Sequence, residues 1–201
     1  MSRIASPNEL LDFWFGTADP AAAVPPNFAR WFAGGPDLDQ LVRERFSDTL
    51  EAARLGLLGR WLASPAGLLA LVVLVDQLPR NAHRGTALAF AWNPLGLSAA
   101  LYALEAGEDR KMGTFQRSFL YLPLEHTEDP AIQDRAVAEY EALLLAASPA
   151  ERPVIENMLH HAHQHREVIR RFGRFPTRNE PLGREISAEE AAWLASPARY
   201  P

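Results

Sequence analysis

Apolar residues along this chain recur every three or four positions, a period that predicts helices. Leu10 with Trp14 and Leu11 with Phe15 stand at i, i+4, and Leu38, Val42, Phe46 and Leu50 follow one face of the next segment. Ile132, Ala136, Tyr140 and Leu143 with Leu144 stripe a later one. The run Gly67 to Val75 is apolar all round, the pattern of a central helix covered on every side. No stretch alternates convincingly with the period of two that a half-buried strand needs.

The polar positions between these stripes mark where helices begin and end. Ser6-Pro7, Ser64-Pro65, Asn93-Pro94, Asp129-Pro130 and Ser148-Pro149 each place a capping residue before a proline suited to the first helical turn. Ser6 to Glu9, Ser148 to Glu151 and Ser187 to Glu190 have capping-box spacing, in which the acid reaches back to the cap residue's N–H. Gly16, Gly56, Gly107 and Gly173 follow helical patterns as stops, and Thr17 to Pro26 reads as a loop. The expected fold is an all-α array of about seven or eight antiparallel helices without a sheet, as a single domain over residues 1–201. There is no 34-residue self-similarity, so internal repeats do not by themselves define a solenoid.

Composition narrows the function classes. The 201 residues are 48% hydrophobic and 22% charged, ordinary for a globular protein with a sizeable core. The longest apolar run, Leu68 to Val75, is far shorter than the roughly 20 residues that span a bilayer, so no membrane segment is expected. No basic stretch with an apolar follow-on opens the chain, and there is no cysteine for disulfide or thiol chemistry; a cytoplasmic setting is expected. A net charge of −5 argues against a nucleic-acid partner. Nearly all the basic residues are arginine, which coding bias explains, but their positions are uneven. Arg166, Arg170, Arg171, Arg174, Arg178 and Arg184 follow closely on His160, His161, His163 and His165.

Polar side chains concentrate at three breaks. In the first, Asp76 and Gln77 end the most apolar helix and need buried partners, a structural role, while Pro79 predicts that the helix stops at Leu78. Arg80, Asn81 and Arg84 then project as candidate ligand-binding groups, with Asp76 able to hold one guanidinium. In the second, Leu122 to Asp129, Glu125 and His126 are the candidate catalytic pair for moving a proton. Glu128 and Asp129 have structural explanations there, Asp129 as an N-cap and Glu128 through the macrodipole of the same helix. The third joins His165 to Arg171, Arg174, Arg178 and Asn179, candidate ligand-binding residues suited to a carboxylate or phosphate.

No metal or cofactor is assigned. Glu125 and His126 are adjacent, which is not the spacing of helical zinc ligands, and His161 with His165 lacks a third ligand at matching spacing. No GxSxG elbow, P-loop or GxGxxG occurs.

Taken together, Leu11-Asp12-Phe13-Trp14-Phe15-Gly16, Arg30-Trp31-Phe32, the segment Asp76 to Gly85, Phe119 to Asp129 and Ile169 to Gly183 resemble a bacterial family, domain of unknown function 924. The resemblance covers nearly the whole chain and implies an all-α fold of the tetratricopeptide-like superfamily, built of antiparallel helix pairs. Two positions depart from the family's pattern: Thr177 stands where it commonly has His, and Asn93 where it often has Asp. The first departure removes an imidazole from the last block.

Three readings of function follow, two of them principal. In one, the breaks form a pocket where arginines hold a small anion and His126 with Glu125 moves a proton. In the other, paired helices form a groove for a peptide or protein and the polar clusters only clasp loops together. A third, RNA binding between His160 and Arg184, rests on Phe172 and Phe175 interleaved with arginine. The pocket is preferred because Gln77, Asn81, His126 and Asn179 supply more distinct donors and acceptors than loop clasps require.

Overall fold

The computed structural model of the protein describes residues 3–24, 27 and 29–196. Among them are nine α-helices and no strand: α1 (Pro7–Phe15), α2 (Pro36–Arg54), α3 (Pro65–Val72), α4 (Leu78–Ala82), α5 (Asn93–Glu105), α6 (Thr114–Glu125), α7 (Pro130–Ala146), α8 (Arg152–Phe172) and α9 (Ala188–Ala195). The all-α expectation holds. The chain divides into two compact units, Met1–Arg84 with Leu88–Pro123, and Gly85–Ala87 with Leu124–Pro201. Of the expected loop, Thr17 to Val24 is free of helix, and Pro25 and Pro26 lie outside the described residues.

In the first unit, the Ser6 hydroxyl accepts from the Glu9 N–H and the Glu9 carboxylate accepts from the Ser6 N–H, closing the expected capping box at the start of α1. Leu10, Leu11 and Trp14 are fully covered, as are Leu68, Leu69, Ala70 and Val72 of α3. An aromatic cluster joins α1 to α6, with the Phe119 ring centroid 4.9 Å from Trp31, 5.3 Å from Phe15 and 6.0 Å from Trp14. Ser64 caps α3 by accepting from the Gly67 N–H at 3.1 Å. Gly67 is required there, since a β-carbon would stand 2.1 Å from the Trp61 carbonyl oxygen.

The chain does not leave helical geometry at Leu78. Between α3 and α4 it makes one wide π turn, Val73–Gln77, and Leu78 has φ −63° and ψ −33° with its N–H donating to the Val73 carbonyl five residues back. Pro79 therefore sits inside a continuous helical path rather than ending it. A regular α turn would press its ring against the Val75 carbonyl, a contact that the wider turn relieves. Similarly, α6 contains Pro123 and runs on to Glu125, so the second polar break begins at His126 rather than Leu122.

Asn93 does not cap α5, because it lies within the helix and Trp92 occupies the cap position. By composition alone the stretch Ala87–Glu105, of mean hydropathy 1.3, is long and apolar enough to cross a membrane. It is not one regular helix: a 3-10 turn, Ala87–Phe90, precedes the 13 residues of α5. At 1.5 Å per residue α5 extends about 20 Å, short of a bilayer's roughly 30 Å core.

In the second unit, Asp129 caps α7 as expected, accepting from the N–H groups of Ala131 and Ile132 at 2.8 and 3.1 Å. The Ser148–Glu151 pair closes a turn, and α8 starts only at Arg152. Helices α7 and α8 pack antiparallel: Asp134, near the start of α7, accepts from Arg166 at 3.4 Å and Arg170 at 2.7 Å, near the end of α8. Gly173 stops α8 with φ +69°, which returns the chain so that Phe175 joins Val168 and Ile169 in a small core flanked by Phe172 and Trp193.

Candidate functional site

The two units hold separate polar clusters. In the first, Asp76 is fully buried in the π turn, its Oδ2 accepting from the Gln77 side chain at 2.5 Å and its Oδ1 meeting Arg80 at 3.4 Å. The Arg80 guanidinium also lies 5.7 Å from the Phe90 ring centroid. Asn81 and Arg84 turn toward a carboxylate that the sequence did not single out, Asp39 of α2. Asp39 Oδ1 accepts from Asn81 Nδ2 at 2.9 Å, and Arg84 grips both oxygens at 2.8 and 2.9 Å. Arg84's bonds hold the Asp39 carboxyl below its ordinary range, with burial opposing and Asn81 assisting. This cluster ties the start of α2 to the end of α4.

In the second unit, Glu125 is the last residue of α6 and is 2% exposed. Its Oε2 lies 3.2 Å from Nδ1 of His165 on α8, within ion-pair range but off the line of a hydrogen bond, and its Oε1 is buried without a partner among the described residues. The His126 and His165 rings are 5.9 Å apart. The edge of Phe175 meets His165 at 5.4 Å, and the guanidinium of buried Arg178 lies 4.2 Å above the Phe175 ring while donating to the His126 carbonyl at 2.9 Å. One turn before His165, burial lowers the pKa of His161 from its ordinary 6.5, against the opposing pull of Glu125. Glu125, His165, His126 and Arg178 thus lie in one cluster, in which the carboxylate meets His165 rather than its chain neighbour His126.

The other arginines of the third break face carboxylates. Arg174 binds both oxygens of Glu190 on α9, at 2.7 and 2.8 Å, and Arg171 meets Glu189 at 2.8 Å. Asn179, wholly buried, donates to Glu190 at 3.1 Å. Arg184 binds both oxygens of Glu128 at 2.9 Å, and the Phe175 N–H adds a third bond at 2.9 Å. Burial alone would raise the Glu128 pKa, but those bonds hold it below 4.5. Glu128 thus ties the segment after α8 to the residues before α7.

Sequence reasoning passed over Asp39, Glu190 as a partner for arginine, and a buried trio in the first unit. In that trio Tyr121 donates to Asp109 at 2.9 Å while Arg117 approaches the Tyr121 hydroxyl at 3.0 and 3.1 Å. Burial pushes the Tyr121 hydroxyl far above its ordinary 10, so it remains a donor. Arg117 and Tyr121 are four residues apart on α6, a legible signal, whereas Asp109 is not marked by any local pattern. Among the described residues no group of three or more His, Asp or Glu has the geometry to hold a metal ion.

With nine α-helices and no strand among the described residues, the chain is an all-α protein. It belongs to the DUF924 family, described as bacterial protein of unknown function, whose model matches residues 10–198. A solved protein of unknown function from Agrobacterium tumefaciens is 36% identical and superposes with a TM-score of 0.78, over 94% of this chain and 96% of that one. No curated protein matches the chain.

Proposed function

We propose that the second unit binds a small molecule bearing a carboxylate or phosphate and moves a proton on it, with Glu125 as the base and His165 and His126 as its partners. The observation that carries this reading is the buried Glu125 carboxylate, which has one oxygen unpartnered and the other 3.2 Å from an imidazole. An unpaired carboxylate oxygen at that depth costs several kcal/mol unless a donor reaches it, and a ligand N–H, O–H or acidic C–H would supply one. The ligand's acidic group would lie beside the imidazoles and the Arg178 guanidinium. The setting proposed for this cysteine-free chain is the cytoplasm.

Arg171 and Arg174 support a second reading, a helical scaffold for a peptide or protein partner, because both are occupied with α9. A thermal-shift screen of carboxylated and phosphorylated metabolites separates the two. The first reading predicts a rise of several degrees with at least one compound, abolished in Glu125→Gln. Absence of any shift, alongside binding of a helical peptide from a random library, would favour the scaffold.

A further inference from the structure

The first unit has a surface cavity of about 350 Å³ lined by Glu9, Asp12, Phe13, Arg30, Leu41 and Arg45. We propose that this cavity is a second site, which takes a small zwitterion, a free α-amino acid whose carboxylate meets Arg45 and Arg30 and whose ammonium meets Asp12.

The two arginines at the cavity are held by aromatic contacts. The Arg30 and Arg45 guanidinium carbons lie 4.7 and 4.9 Å from the centroid of the same Phe13 ring, so one aromatic side chain carries two positive charges. Arg30 also caps α1 by donating to the Phe13 carbonyl, one of the carbonyls that the helix end leaves without an internal partner. Arg45 also lies 5.3 Å from the Phe46 ring centroid, and its charge helps lower the Glu9 pKa, but no hydrogen bond or close ion pair joins it to a described residue. Its guanidinium is held beside two rings and keeps N–H donors for a bidentate acceptor.

The two carboxylates differ. Glu9 accepts from the Ser6 N–H and pairs with Arg3, and its pKa lies below 4.5, chiefly through the Ser6 bond. Asp12 is exposed and has no such partner among the described residues. A simple anion would answer Arg45 and be repelled by Asp12, and a simple cation the reverse. A molecule with both charges a few ångströms apart answers each, and the exposed Leu41 side chain with Phe13 offers it an apolar wall. The volume lies at the small end of ligand pockets, suited to one amino acid.

The test titrates the whole chain with the common α-amino acids singly at millimolar concentration, followed by amide chemical shifts, with the best binder repeated as its N-acetyl and its carboxamide derivatives. The expected result is saturable shifts in α1 and α2 with one or more amino acids, weakened about tenfold or more by either derivative and by Arg45→Gln or Asp12→Asn. Both substitutions are at exposed positions, and a thermal melt checks that each variant is folded. Absence of saturation with every amino acid overturns the proposal. So does an N-acetyl derivative that binds equally well, which would make the cavity a plain anion site, and so does unchanged affinity in both variants, which would place the amino acid elsewhere. Glu125→Gln should leave this binding unchanged, so the outcome is independent of the proton-transfer site.

Discussion

Arg174 and Glu190 form a two-pronged ion pair between the segment after α8 and the first turn of α9, Nε to Oε1 at 2.7 Å and Nη2 to Oε2 at 2.8 Å. The same carboxylate accepts from the Ser187 N–H at 2.8 Å and from Asn179 at 3.1 Å. One side chain therefore closes a capping box, anchors an arginine and accepts from the amide nitrogen of buried Asn179. Glu190→Ala should destabilise the second unit by about 1–2 kcal/mol, the size of a lost cap. Hydrogen exchange at Ala188–Ala195 should accelerate together with that at Asn179, and unchanged exchange at Asn179 would show that the two are not coupled.

Asp39→Ala should behave comparably in the first unit, because it strips the acceptor from both Asn81 and Arg84. The cost expected for leaving buried Asn81 unsatisfied is about 1–3 kcal/mol, or a few degrees in Tm. Differential scanning calorimetry of Asp39→Ala beside Asp39→Asn checks it, since asparagine keeps one acceptor oxygen and should recover part of the loss.

Gly67→Ala and Gly59→Ala form a matched pair. A methyl at position 67 would stand 2.1 Å from the Trp61 carbonyl, whereas at position 59 no atom lies within 4 Å. The first should cost more than about 2 kcal/mol and the second almost nothing. Equal urea midpoints for the two variants would disprove the close approach.

Acid should unfold the protein in two stages. Burial holds the neutral forms of His161 and His83 in the folded chain, so both pKa values lie below 6.5. The unfolded chain takes up those protons first, and stability declines as pH falls through about 6.5. The Glu190, Glu128 and Asp39 carboxyls also lie below their ordinary values of 4.5, 4.5 and 3.8, held there by Arg174, Arg184 and Arg84. Their contribution is fully present above those values and is lost as pH drops below them. Tm measured from about pH 7 to 3 should fall throughout. A rise between about pH 7 and 5 would refute the histidine part.

Local chemistry was legible and distant pairing was not. Ser6, Ser64, Asp129 and Ser187 cap the helices that their sequence positions announce, because a cap bonds only to N–H groups two or three residues ahead. Asn93 misled because proline is tolerated one position further into the helix as well, and Trp92 took the cap. The adjacency of Glu125 and His126 is plain in the sequence, yet nothing local says that Glu125 will meet His165 across 40 residues, Arg84 find Asp39 across 45 or Arg174 find Glu190 across 16. Those pairings depend on how helices pack, and they explain why an arginine-rich segment reads as a ligand site in sequence and as a set of ties in structure.

The wide turn at Val73–Gln77 amounts to one surplus residue in a helical path that continues to Ala82. Each residue rotates a helix by about 100°, so deleting one from that turn would swing everything after it by that angle. Asn81 and Arg84 would then point away from Asp39, and Pro79 would meet the backbone it now avoids. The direction in which this unit's polar residues face is therefore encoded by a count of residues as much as by their identity, and a single-codon deletion there would be far more disruptive than any substitution in the same turn.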